Sequence, residues 1–95
     1  MLGEALRLIR VFHDCKTAEL AQGLDISASY ISEIEAGKKI PSMETLQKYA
    51  DYFETKVSAI LFFSEDLEKD KKRIGRAAVR KTLMRFLQII EKATS

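Results

Sequence analysis

Among the side chains with the most specific chemistry, the sequence holds one cysteine, Cys15, and one histidine, His13. One thiol closes no internal disulfide, and a thiol with an imidazole supplies half of a typical four-ligand zinc site, so disulfide scaffolds and zinc fingers are excluded. No nucleophile, base and orienting group fall at spacings that would bring them together, so the expectation is a protein that is not an enzyme and takes no cofactor or metal. What the sequence does supply is charge, divided by position. Residues 1–66 carry 7 Lys and Arg against 11 Asp and Glu, a net of −4, and residues 67–95 carry 9 against 3, a net of +6. A basic tail on an acidic body signals a polyanion, a membrane surface or a charged protein as partner. In the tail, Lys69, Lys71, Lys72, Arg73, Arg76, Arg80, Lys81 and Arg85 are the residues that would neutralise phosphates, each adding about 0.9 to the salt slope of DNA binding.

The chain that must position these groups has 95 residues, the size of one small domain. At 46 % hydrophobic and 32 % charged residues it is too apolar for disorder. It contains no run of about 18 apolar residues that could span a bilayer. Glu4, Arg7 and Arg10 interrupt the apolar start, which reads as an amphipathic helix and not a signal peptide, and the expected location is a reducing cytoplasm.

Leu2, Ala5, Leu6, Ile9 and Phe12 recur at spacings of three and four, which predicts a first helix from about Gly3 to Asp14. Thr17 is the expected N-cap of a short second helix to Leu24, with Glu19 in its first turn. Asp25 tolerates left-handed geometry, and Ser27 caps a third helix from about Ser27 to Ala36. Gly37 is the expected C′ residue, followed by Lys38 and Lys39 near the negative end of the dipole. Pro41 keeps Ile40 out of helical geometry, and Ser42 caps a fourth helix to about Glu54. The apolar run Val57–Phe63 is too wide for one exposed face, so the tail should cover it. Gly75 is the only glycine after Ser64, and the apolar stripe changes face there, which predicts a kink or break. The result is an all-α fold of five or six helices with short loops.

The second and third helices, locked by Leu20, Ala21, Leu24, Ile26, Ile31 and Ile34, form a helix-turn-helix. Through AELAQGLDISASYISEIEAGKKIPSMETLQKYADYF the sequence resembles the phage repressor and Cro type, or XRE-like, helix-turn-helix DNA-binding family, over about residues 5–63. The resemblance implies a compact five-helix phage-repressor-like domain, residues 1–66, with a C-terminal amphipathic helical extension, residues 67–95. It also implies that the start of the third helix lies in the major groove, which assigns Ser27, Ala28, Ser29, Ser32 and Glu33 to base edges. Thr17, Lys38, Lys39 and Ser42 correspond to phosphate contacts. Arg10 matches an arginine that pairs with a glutamate, here Glu35, while reaching toward phosphate.

The sequence departs from the family pattern at Thr17, where glutamine is common, at Asp25, where the turn usually has glycine, and at Ala28, where a long polar side chain is usual. Bidentate base readout uses arginine, lysine, asparagine or glutamine, and Ser27–Ala36 contains none. Glu33 has three options: accepting from cytosine N4, or, as expected near phosphates, repelling them or pairing with a lysine. Specificity is therefore expected to be low or supplied by DNA shape.

Together these readings point to a transcriptional regulator, a repressor, that binds double-stranded DNA as a homodimer. The stripe Val79, Leu83, Phe86, Leu87 and Ile90 is the expected dimerisation element, the alternatives being packing on its own core or docking of another protein or nucleic acid. The competing function is an interaction module, antitoxin-like or anti-repressor-like, that uses the acidic body or the basic tail. No membrane partner is expected, since tryptophan is absent and Phe86 sits in a packing stripe.

Overall fold

The computed structural model describes residues 2–73, 80–81 and 83–88, with side chains described outside 70–73. The described residues are all-helical in their regular structure: α1 Leu2–Phe12, α2 Thr17–Leu24, α3 Ala28–Glu35, α4 Met43–Tyr52 and α5 Val57–Arg73. Residues 80–81 and 83–88 are helical as well. The all-α architecture expected from the periodicity is the one found.

Each of the first four helices ends by the same local device. In α1 the Asp14 N–H donates to Val11 O and the Cys15 N–H to Arg10 O, with Asp14 left-handed at φ 51°. The pattern recurs after α2 at Asp25 (φ 56°), after α3 at Gly37 (φ 78°) and after α4 at Glu54 (φ 54°). Two nested hydrogen bonds satisfy the last carbonyls of a helix and turn the chain sharply, which is the Schellman closure. This corrects two expected boundaries. α1 stops at Phe12 and not Asp14, and α4 stops at Tyr52 and not Glu54, because in each case a non-glycine residue takes the left-handed conformation that reverses the chain.

The starts follow side-chain chemistry. Ser27 and Ser42 cap α3 and α4, accepting from the N–H groups of Tyr30 and Thr45 at 3.0 and 3.1 Å. Thr17 is not the cap of α2. The Leu20 N–H donates to the Lys16 carbonyl, which makes Lys16 the N-cap and Thr17 the first helical residue, and Glu19 accepts from the Lys16 N–H at 3.4 Å.

The core is one cluster in which Leu6, Ile9, Leu20, Ile31, Ile34, Tyr49, Ile60 and Phe63 are almost fully buried. α1 packs on α3 and α5, α2 on α3 and α4, and α4 on α5. At the α1–α3 contact a Cβ built on Gly3 would run into the Ile34 carbonyl oxygen, so only glycine permits the approach.

α5 runs unbroken across positions 66 and 67, so the reversal of charge lies inside one helix, and Leu67 is buried. The tail covers part of the apolar run as expected: the Phe86 ring stacks on Phe63 with centroids 4.5 Å apart and planes at 10°. Phe86 and Leu87 are buried in the chain's own core and Leu83 is half-buried. Phe62, next to Phe63 on α5, stays 64 % exposed. Gly75, Val79 and Ile90 lie outside the described residues. Among the described residues no helix is long and apolar enough to cross a membrane.

Candidate nucleic-acid interface

α2 and α3 are eight residues each, joined by the Asp25 turn and Ser27. Ile31 and Ile34 anchor α3 in the core, and the helical period then turns Ala28, Ser29 and Ser32 outward, where all three are exposed. Ser27 Oγ accepts the Tyr30 N–H, so its lone pairs serve the cap while its proton is left to donate. Glu33 lies one turn below Ser29 on the same side, with its side chain 39 % exposed.

Beyond α3 the Schellman closure places Lys38 and Lys39 beside this face. Both of their N–H groups donate to the Glu33 carbonyl, at 2.9 and 3.2 Å. The Lys38 side chain is exposed and has no partner among the described residues. Lys39 Nζ sits 3.4 Å from Glu33 Oε2 and 5.8 Å from the centroid of Tyr30. Of the options open to Glu33, the structure places it against a lysine.

The other residues assigned to phosphate differ in how free they are. Thr17 is half-buried at the first position of α2, where the helix dipole favours an anion. Ser42 spends its hydroxyl proton on Thr45 Oγ1 at 3.0 Å, which leaves the first amides of α4 as the donors there. Arg10 is held on three sides: Nε to Glu35 Oε2 at 2.7 Å, Nη2 to Glu35 Oε1 at 2.9 Å and Nη1 to the Cys15 carbonyl at 2.9 Å. The hydrogen bond to Glu35 raises the Arg10 pKa, and burial opposes it. Arg10 thus fixes α1, the Cys15 corner and the end of α3 relative to one another.

Tyr49 lies under this pair, fully buried, and its hydroxyl has no hydrogen-bond partner among the described residues. Burial and then the Glu35 charge push its pKa upward. Cys15 is buried, with Sγ 3.7 Å from the Lys16 carbonyl and 3.9 Å from Tyr52 Oη, whereas His13 is exposed with Nδ1 2.8 Å from the Ile9 carbonyl. The two do not form a site. Among the described residues no group of three or more His, Cys, Asp and Glu is placed to hold a metal.

Sequence reasoning missed the contact of Tyr30 with Lys39. The available signal was Gly37: a Schellman closure folds the chain back, which brings a residue two positions past the glycine onto the last turns of the helix.

Two short helices at a tight turn, the second presenting an exposed polar face flanked by helix N-termini and lysines, define a helix-turn-helix, a class of DNA-binding domain. The helix-turn-helix family model matches residues 13–60, half of the chain, and the chain belongs to that family, in its phage repressor and Cro branch. It is 29 % identical over 77 residues to the transcriptional regulator ClgR of Mycobacterium tuberculosis, from two strains, covering 81 % of this chain and 69 % of the relative. Its structure is similar to the crystal structure of the clp gene regulator ClgR from Corynebacterium glutamicum, with a TM-score of 0.62 and 25 % identity, over 98 % of this chain and 84 % of that one.

Proposed function

We propose that the chain is a transcriptional regulator that inserts α3 into the major groove and represses transcription, bound as a homodimer. The observation that carries this reading is the exposed face of α3, anchored from behind by Ile31 and Ile34 and flanked by Lys38. Ser27, Ala28, Ser29, Ser32 and Glu33 would meet base edges. Thr17, Lys38, Lys39, the amides behind Ser42 and the remaining N–H groups of Arg10 would meet phosphates. The relatives are named as transcriptional regulators, which supports the same role here. Since Phe86 and Leu87 are used within the chain, the pairing surface is what the core leaves over, with half-buried Leu83 and exposed Phe62 and Met84 as its apolar residues.

The test is a fluorescence titration of the full chain with duplex DNA across salt concentrations, with light scattering at several protein concentrations. Salt-dependent binding and a dimeric mass support the reading. No affinity for any duplex sinks it, and a monomer at every concentration removes the homodimer. Lowered transcription from a promoter carrying the selected site distinguishes repression from activation.

A groove of about 440 Å³ favours a second reading. It runs beside α5 and is lined by Ala59, Phe62, Phe63 and Phe86, with Asp66 and Arg85 at its edge. An interaction module would seat a protein partner there, and would bind no duplex in the same titration.

A further inference from the structure

Lys38 and Lys39 are adjacent in sequence but stand in different chemical positions. Lys38 has no side-chain partner among the described residues, while Lys39 lies between the Glu33 carboxylate at 3.4 Å and the Tyr30 ring at 5.8 Å. Glu33 holds this loop twice, by its carbonyl, which accepts from both lysine N–H groups, and by its carboxylate, which takes the Lys39 ammonium. The backbone is fixed, so only the Lys39 side chain is left to move.

We propose that Glu33 and Lys39 act as a coupled reader: Glu33 keeps Lys39 off the DNA backbone until a cytosine amino group takes the carboxylate, so phosphate grip and base recognition come together. The inference rests on the reading that α3 enters the major groove. A carboxylate is acceptor-only, so over guanine or thymine it meets only acceptors or a methyl group, and over adenine the N6 amino group lies beside the N7 acceptor. Cytosine N4 offers a donor with no acceptor next to it on the same base. Away from cytosine, releasing Lys39 would leave Glu33 unpaired beside phosphates, and the intramolecular pair persists. An exposed pair of this kind changes an equilibrium constant by at most about fivefold, small enough for one base contact to reverse. Tyr30 gives the ammonium a second resting contact and so favours the stored position.

The experiment uses the full chain and its Glu33→Gln, Lys39→Ala and doubly substituted variants. Each is bound to a randomised duplex library at several salt concentrations, and the bound and free fractions are sequenced. The Glu33 and Lys39 side chains are 39 % and 55 % exposed, so the substitutions leave the core untouched, and circular dichroism checks the fold. In the unsubstituted chain cytosine should be enriched at one position of the site. There Lys39→Ala should lower the salt slope by about 0.9 per bound protomer on cytosine duplexes and leave it unchanged on the others. With Glu33→Gln the cytosine enrichment should vanish, and Lys39→Ala should then lower the slope on every duplex. The proposal is overturned if Lys39→Ala acts equally on all duplexes while Glu33 is present, or if the enrichment survives Glu33→Gln. A chain that binds no duplex overturns the DNA-binding reading itself, and the coupled reader with it.

Discussion

Arg10 near the end of α1 and Glu35 at the end of α3 meet in a two-pronged ion pair, Nε to Oε2 at 2.7 Å and Nη2 to Oε1 at 2.9 Å, with side chains only 16 % and 9 % exposed. The pair spans 25 positions of sequence and sets the angle at which α3 leaves the core. Removing one partner strands a mostly buried charge. Glu35→Ala is therefore expected to cost about 3 kcal/mol in urea unfolding, and replacing both residues by methionine should cost less than the sum of the single changes.

Tyr49→Phe should stabilise the protein. The buried hydroxyl has no partner among the described residues, and deleting it removes a desolvation penalty of about 1 kcal/mol, a rise of about 4–8 °C in melting temperature for a domain of this size. Because burial raises the folded pKa of Tyr49 above the usual 10.0, the unfolded chain ionises first, so this group leaves stability independent of pH below about 10 and lowers it as pH rises further. Urea melts across alkaline pH should show the unsubstituted chain weakening more steeply than the phenylalanine variant.

Glu54→Gly is expected to gain about 1 kcal/mol, since a side chain at φ 54° carries a left-handed penalty that glycine escapes. Equilibrium unfolding measures it, and a loss of stability would show that the Glu54 side chain holds a contact worth more than the strain.

Phe86→Ala should cost about 3–5 kcal/mol by emptying the space against Phe63, while Met84→Ser, at a side chain 53 % exposed, should change the stability of the single chain by no more than about 0.5 kcal/mol. Unfolding at low protein concentration, where pairing of copies does not contribute, separates the two.

Lys38→Ala should weaken duplex binding by a similar factor for all sequences and lower the salt slope by about 0.9 per bound protomer, the signature of a phosphate contact. Ser29 or Ser32 substitutions should instead alter preference among sequences in the same titrations.

Most of the architecture could be read from residue types whose effect is local. Ser27 and Ser42 announce helix starts because their hydroxyls bond an amide three residues on, and Gly37 announces a stop because it alone among the closing residues enters the left-handed region without penalty. Asp14 and Glu54 take the same conformation without being the residue type that favours it, so sequence alone extends α1 and α4 too far. Thr17 looked like the cap because its hydroxyl suits the role, yet the cap is set by which carbonyl receives the Leu20 N–H, and Cys15, gripped by Arg10, fixes that geometry from outside the helix. The exposed face of α3 followed from the period, but the meeting of Glu33, Lys39 and Tyr30 depends on how the loop folds back. The tail stripe was visible as apolar. That Phe86 and Leu87 stay with their own chain depends on the position of Phe63, which is distant in sequence and so leaves no local signal beside them.

Gly3 gives the interface its calibration. With only a hydrogen atom between α1 and the Ile34 carbonyl, the end of α3 rests on the helix behind it as on a shim of zero thickness. Every added atom at residue 3 would lift that end and tilt the whole face from Ala28 to Glu33, without altering a single side chain on it.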